Sequence, residues 1–329
     1  MCTDGRLPGG CRALVWGGAV RSTWGRSVTA AALTCALALA ACSGATTSAA
    51  DGFDEGTTSG PEWTEPAEVL LAPFDADAAA AGTPVIDVSH ASEGYVAASA
   101  TSDARLKLQV SSGEMSYNYD LPSDGTAVVA PLNMGSGSYR VRVMQNTSGN
   151  NYVEIAGTTV DVALASEFEP FVRPNVFCNY TDSSAAVAKA RELAAEAANE
   201  GDVMRAVCIW VASNISYDYD KAAELSGGSG YVPDPDATLA AGTGICFDYA
   251  SLSGAMLRSL GIPCKVITGY VSPDDVYHAW NMVYADGSWH SVEFSVDQDS
   301  WSRVDLTFAA AGAGDTVGDG TSYTDRYVY

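Results

Sequence analysis

The chain has 329 residues, with 17 Lys and Arg against 40 Asp and Glu and a formal net charge of −23. Apolar residues make up 47% and charged residues 17%, so the chain can bury a core and is not an acidic disordered tail. The acid excess argues against nucleic acid as a partner, because phosphate binding needs clustered Lys and Arg, and equally against a polybasic grip on anionic lipid. The length predicts two domains.

The first 41 residues read as an address. Arg6, Arg12, Arg21 and Arg26 make this stretch basic within an acidic protein. Val28 to Ala41 is then apolar for about 14 residues, too short for a bilayer-spanning helix, which needs roughly 20. A basic flank followed by a short apolar run is the pattern of a secretory signal. The run ends Leu39-Ala40-Ala41-Cys42-Ser43-Gly44, which resembles the lipobox of bacterial lipoproteins. That resemblance implies cleavage before Cys42 and lipid on its thiol. The competing reading is a buried helix in which Cys42 is incidental. Removing residues 1–41 takes four Arg and Asp4 from the totals, leaving 13 basic and 39 acidic residues and a net charge of −26.

Residues 42–65 are Gly, Ser, Thr and acid with almost no apolar period, a flexible tether. Residues 66–165 alternate polar and apolar between turn signals. Examples are Arg105 to Val110, Ser138 to Val143 and Tyr152 to Ile155, with turns at 111–113, 122–125 and 135–137. This spacing predicts a small all-β, sandwich-like domain. It carries no catalytic constellation: His90 stands alone. The domain reads as a structural module, with ligand binding the alternative.

From residue 166 the texture becomes helical. Asp182-Ser183-Ser184 can cap a helix over Ala185 to Asn199, stopped by Gly201. Asp202 can cap a second, whose Val203, Val207, Trp210 and Val211 form one buried stripe.

The chemistry is concentrated further on. Gly242-Thr243-Gly244-Ile245-Cys246-Phe247-Asp248-Tyr249-Ala250 leads into a helical pattern that ends at Gly261 and Pro263. Cys246 therefore falls at a helix N-terminus, where free N–H groups and the macrodipole favour a thiolate. Gly242 and Gly244 would let a substrate backbone approach. His278 lies in a strand pattern, Tyr277 to Tyr284, and can serve as the base. The imidazole in turn needs a carboxylate. Val304-Asp305-Leu306-Thr307 offers Asp305 on a following strand, with Glu293 and Asp297 as other candidates. Asp248 braces the helix start.

These blocks, G-x-C-x-D-Y-A, L-R-S-x-G-I-P, H-A-W-N and V-D-x-T-F, resemble the transglutaminase-like superfamily of papain-like cysteine enzymes, most closely its bacterial surface lipoproteins. The resemblance is tight over Gly242 to Phe308 and extends over Pro170 to Tyr329. It implies an α+β fold, a Cys-bearing helix packed on an antiparallel sheet, over residues 166–329. It also implies nucleophile Cys246, base His278 and orienting acid Asp305. The Cys246 N–H would be one oxyanion donor, and Tyr217 or Tyr219 a second, unless both merely pack under a loop.

The function that follows is a cysteine hydrolase or acyltransferase acting on peptide or glutamine-type amides through a thioester, with no metal and no cofactor. Hydrolysis is favoured because bacterial members more often look like proteases. The substrate would be a peptide or protein amide, cell-wall peptides among them. The protein would be exported and held by Cys42 on the outer face of the bacterial cell membrane. The other class of reading is an inert surface scaffold on the same fold. No C-x-x-C pair supports zinc binding by Cys178, Cys208, Cys246 and Cys264, and no disulfide among Cys178, Cys208 and Cys264 can be assigned.

Overall fold

In the computed structural model, the described residues are 58, 60–81, 83–225, 230–271, 276–285, 287–297, 300–306 and 323–329. Within them, side chains at 81, 271, 276, 290, 292–297, 300–306, 323 and 324 are not described. The expected signal and most of the tether, including Cys42, lie outside the described residues.

The alternating segments form strands. They are β1 (Ala79–Ala81), β2 (Val85–Asp87), β3 (Tyr95–Ser99), β4 (Leu106–Ser112), β5 (Met115–Leu121), β6 (Val128–Pro131), β7 (Gly137–Ser148) and β8 (Asn151–Val162). Two four-stranded antiparallel sheets result, in the orders β1-β2-β3-β6 and β5-β4-β7-β8. The period of two does the sorting. Leu106, Leu108 and Val110 of β4 are buried with Val141 and Val143 of β7 and Val96 and Ala98 of β3, while Lys107 and Gln109 take the other face.

The second part supplies α1 (Ala185–Ala194), α2 (Glu200–Asn214), a two-residue strand β9 (Ser216–Tyr217), α3 (Tyr219–Leu225), α4 (Pro235–Ala241), β10 (Thr243–Gly244) and α5 (Cys246–Ser259). A five-stranded antiparallel sheet follows: β11 (Cys264–Val271), β12 (Val276–Ala285), β13 (Ser288–Asp297), β14 (Ser300–Leu306) and β15 (Tyr323–Val328), ordered β14-β13-β12-β11-β15. A Cys-bearing helix packed on an antiparallel sheet is the α+β core that the motifs imply.

The helix boundaries differ from the sequence expectation. α1 stops at Ala194, and Gly201 lies buried in the first turn of α2. Asn199 caps α2 in place of Asp202: its Oδ1 accepts the Asp202 N–H at 3.0 Å. The first turn of α1 is satisfied from a distance, because Asp236 of α4 accepts the N–H groups of Ala185 (3.1 Å) and Ala186 (2.8 Å). Local capping rules cannot see a cap 50 residues away.

α5 is buried on all sides because it lies between two cores. Leu252, Met256 and Leu257 pack with Val203, Val207 and Val211 of α2 and Ala186 and Ala190 of α1. Ala250 and Ala255 join Val266, Tyr329 and the apolar faces of the strand-rich part in one continuous cluster. The described residues of both parts accordingly fall in one compact unit. An aromatic group reinforces that seam, with Phe177 4.5 Å from Tyr329 and 5.8 Å from Tyr119 between ring centroids.

Candidate active site

Three devices bring the chemistry-bearing residues together. First, β9 and β10 pair in parallel with Tyr217 opposite Gly244. The Asp218 N–H donates to Gly244 O at 2.9 Å, so the Tyr217 segment runs beside the turn leading to Cys246. Second, Asp248 closes the start of α5. The Ile245 N–H donates to its Oδ2 at 2.8 Å, the N-terminal half of a capping box. Third, Asn281 fixes β12 on α5. Its Nδ2 donates to Ala250 O (2.9 Å) and Lys265 O (3.2 Å), and its Oδ1 accepts the Ser253 hydroxyl (2.7 Å). Asn281 is three residues from His278 and Ala250 four from Cys246, so this bond set ties the strand that carries His278 to the helix that carries Cys246.

Cys246 is the first residue of α5 and half-buried, and it opens onto a cavity of about 1140 Å³ that His278 and Tyr217 also line. The structure thus brings Cys246, His278 and Tyr217 to one space. Tyr219 is 53% exposed and does not line that space; it packs edge-on against Tyr217 at 5.0 Å. The geometry therefore singles out Tyr217 from the pair. Burial, and then the charge of the neighbouring Cys246, push the Tyr217 phenol up to about 12. It is an O–H donor throughout the neutral range.

Asp305 lies on β14, directly opposite Glu293 on β13. Both candidate acids occupy one rung of the ladder. Their side chains, with those of Asp297 and His290, lie outside the described residues.

The two glycines before Cys246 each meet a structural requirement of the turn. Gly242 has φ 64°, the left-handed conformation that ends α4. A Cβ on Gly244 would sit 2.6 Å from Asp248 Cβ, so the carboxylate that caps α5 needs the space.

Asp248 was legible as a brace, but its partners were not. Its fully buried carboxylate also accepts Lys221 Nζ at 2.6 Å and the Tyr231 hydroxyl. Burial, then the Asp248 hydrogen bond, push the Tyr231 phenol up to about 12. The cavity holds more tyrosine than expected, with Tyr231, Tyr270, Tyr277, Tyr327 and Tyr329 all lining it. Tyr327 and Tyr329 stand two residues apart at the end of β15, a spacing on one strand face that could have flagged them.

The four cysteines of the described part are free thiols. Cys178, Cys208 and Cys264 are wholly buried; burial pushes Cys208 up to about 12 and raises the other two. Native protein treated with iodoacetamide at neutral pH is therefore expected to label Cys246 at least about 100-fold faster than the other three, which become reactive only on unfolding. Peptide mapping checks this. Native labelling of Cys208 at a comparable rate would contradict the burial described. Among the described residues, no group of three or more His, Cys, Asp or Glu is placed to hold a metal.

Residues 187–306 match the model of the transglutaminase-like superfamily, which identifies this stretch as a transglutaminase-like core. Kyphoscoliosis peptidase of Mus musculus is 30% identical over 112 residues, covering 31% of this chain and 16% of that protein. The UPF0252 protein MJ1282 of Methanocaldococcus jannaschii is 27% identical over 111 residues, covering 33% and 30% respectively. The chain therefore spans under a third of the length of either relative. Among solved structures, the periplasmic domain of TgpA from Pseudomonas aeruginosa aligns at 15% identity with a TM-score of 0.30, over 59% of this chain and 88% of that one.

Proposed function

We propose that the protein is a cysteine hydrolase or acyltransferase acting on peptide or glutamine-type amides, with hydrolysis as its main outcome. The supporting observation is the opening of Cys246, at the N-terminus of α5, and His278, on the adjoining sheet, onto one cavity. In this reading Cys246 Sγ attacks the amide carbonyl and His278 takes the thiol proton. The backbone N–H of Cys246 and the Tyr217 hydroxyl face the developing oxyanion. Collapse of the tetrahedral species breaks the C–N bond, and His278 returns the proton to the leaving amine. The thioester left on Cys246 is then cleaved by water, giving an acid, or by a primary amine, giving a new amide. Asp305 orients the imidazole, with Glu293 as the alternative on the same rung. That the mouse relative bears the name of a peptidase agrees with hydrolysis. The test is turnover of a peptide library with and without an added primary amine. Acid products in both conditions are expected; amine-coupled products dominating whenever amine is present would make the protein a transamidase. No turnover in either would leave the scaffold reading.

We further propose export and lipid attachment at Cys42, on the strength of the basic flank, apolar run and Leu39-Ala40-Ala41-Cys42 order. Among the described residues no helix is long and apolar enough to cross a membrane. Expression with a radiolabelled fatty acid should label the protein and bring it into the membrane fraction, and Cys42→Ser should abolish both. Equal labelling of Cys42→Ser would refute attachment there.

A further inference from the structure

One side of the cavity is closed by the strand-rich part of the chain. Arg105, Lys107 of β4, Asp120 of β5 and Tyr152 of β8 line the same space as Cys246 and His278. This wall reverses the protein's charge balance. The chain carries 40 acidic residues against 17 basic. Yet among the described residues lining the cavity, the permanent cations are Arg105, Lys107 and Arg326, and the one carboxylate is Asp120. Of these, Arg105 and Arg326 are exposed and Lys107 is part-buried. Lys107 Nζ lies 3.9 Å from Asp120 Oδ1 and 5.4 Å from the centre of the Tyr152 ring. Arg105 Nη2 donates to Gly149 O at 2.7 Å, which uses one of five guanidinium N–H donors. Arg326 lies over the Tyr270 and Tyr327 rings at 5.9 and 5.3 Å.

Charges of one sign that line a concave surface add at a ligand seated in it, although their exposure leaves them open to screening by salt. Beyond a Debye length of about 8–10 Å the acidic body of the protein is screened, so a ligand entering the cavity meets the local cations. Guanidinium and ammonium groups facing a cavity match carboxylates. The tyrosines of the opposite side offer apolar ring faces to a peptide.

We propose that Arg105 and Lys107 make the strand-rich wall a specificity subsite for Asp and Glu side chains, so that the substrate is an acidic peptide whose reacting amide lies at Cys246. This rests on the cysteine chemistry proposed above. It also gives the strand-rich part a role in the site rather than that of a spacer.

The test uses one core peptide flanked by Glu, Gln or Lys. Wild type should show a kcat/KM about tenfold or more higher for Glu than for Lys flanks in low salt, shrinking at about 0.5 M salt. Arg105→Gln/Lys107→Gln should remove that preference, the loss appearing as a raised KM for the Glu-flanked peptide. Lys107→Glu should shift preference toward Lys flanks, a change that loss of folding cannot mimic. Equal kcat/KM for Glu and Lys flanks in wild type, or an undiminished preference in the double variant, would overturn the subsite. Binding of the same fluorescent peptides to Cys246→Ala separates the two claims. Tenfold tighter binding of the Glu-flanked peptide without turnover by wild type would keep the subsite and remove hydrolysis. Indifferent binding to Cys246→Ala would overturn the subsite, whatever the turnover.

Discussion

Cys246→Ala and His278→Ala are each expected to lower kcat on a cleaved peptide by a factor on the order of 10⁴ to 10⁶, and the double variant to fall little further. The non-additivity is the informative part. A thiol without its base and a base without its nucleophile leave the same residue of catalysis, contributed by binding and oxyanion donors alone. Cys246 is half-buried at the cavity wall, so truncating it should shift stability by well under about 1 kcal/mol. Thermal unfolding of both single variants separates chemistry from folding. Losses that multiply in the double variant would mean that Cys246 and His278 act independently.

Arg258→Ala is expected to be the most damaging substitution for stability in the helix-and-sheet part. Arg258 is fully buried near the end of α5. Its planar fork holds three separate segments: Nε donates to Cys264 O at 2.8 Å, Nη1 to Arg173 O at 2.9 Å and Nη2 to Tyr329 O at 2.7 Å. Alanine would leave these carbonyls short of donors and open a cavity where the long side chain lay. Each unsatisfied buried group costs about 1–3 kcal/mol, so a loss of about 4 kcal/mol is expected. At roughly 2–4 °C per kcal/mol for a domain of this size, Tm should fall by about 10 °C. Arg258→Lys should recover only part of this, because an ammonium presents its donors from one point and cannot span three carbonyls. Differential scanning calorimetry decides. A Tm within about 2 °C of wild type would show that water or rearrangement replaces the fork.

Arg258 illustrates what was legible in the sequence. It lies inside L-R-S-x-G-I-P, and its helix was clear from apolar spacing, but nothing local marks an arginine for the core. The same holds for Asn281 in H-A-W-N: the strand could be read, the bridge to α5 could not, because its partners are 16 to 31 residues away in sequence. Cys246 and His278 were readable because glycine, cap and strand signals flank them closely. Tyr231 and the Arg105–Lys107 wall were not, since three-dimensional packing alone brings β4 and the segment after α3 to the edge of the cavity. The failed helix stop at Gly201 has the same origin. Asn199 caps α2 two residues before Gly201, so Gly201 falls inside the first turn and is buried there.

The most direct measurement is intact-protein mass spectrometry on enzyme quenched in acid during turnover of an acidic peptide. The predicted result is an added mass equal to the acyl half of the peptide, mapped to Cys246, removed by hydroxylamine as a thioester must be, and absent from Cys246→Ala. Turnover that proceeds with no adduct on Cys246 and survives Cys246→Ala would contradict the assignment of this cavity as a cysteine active site.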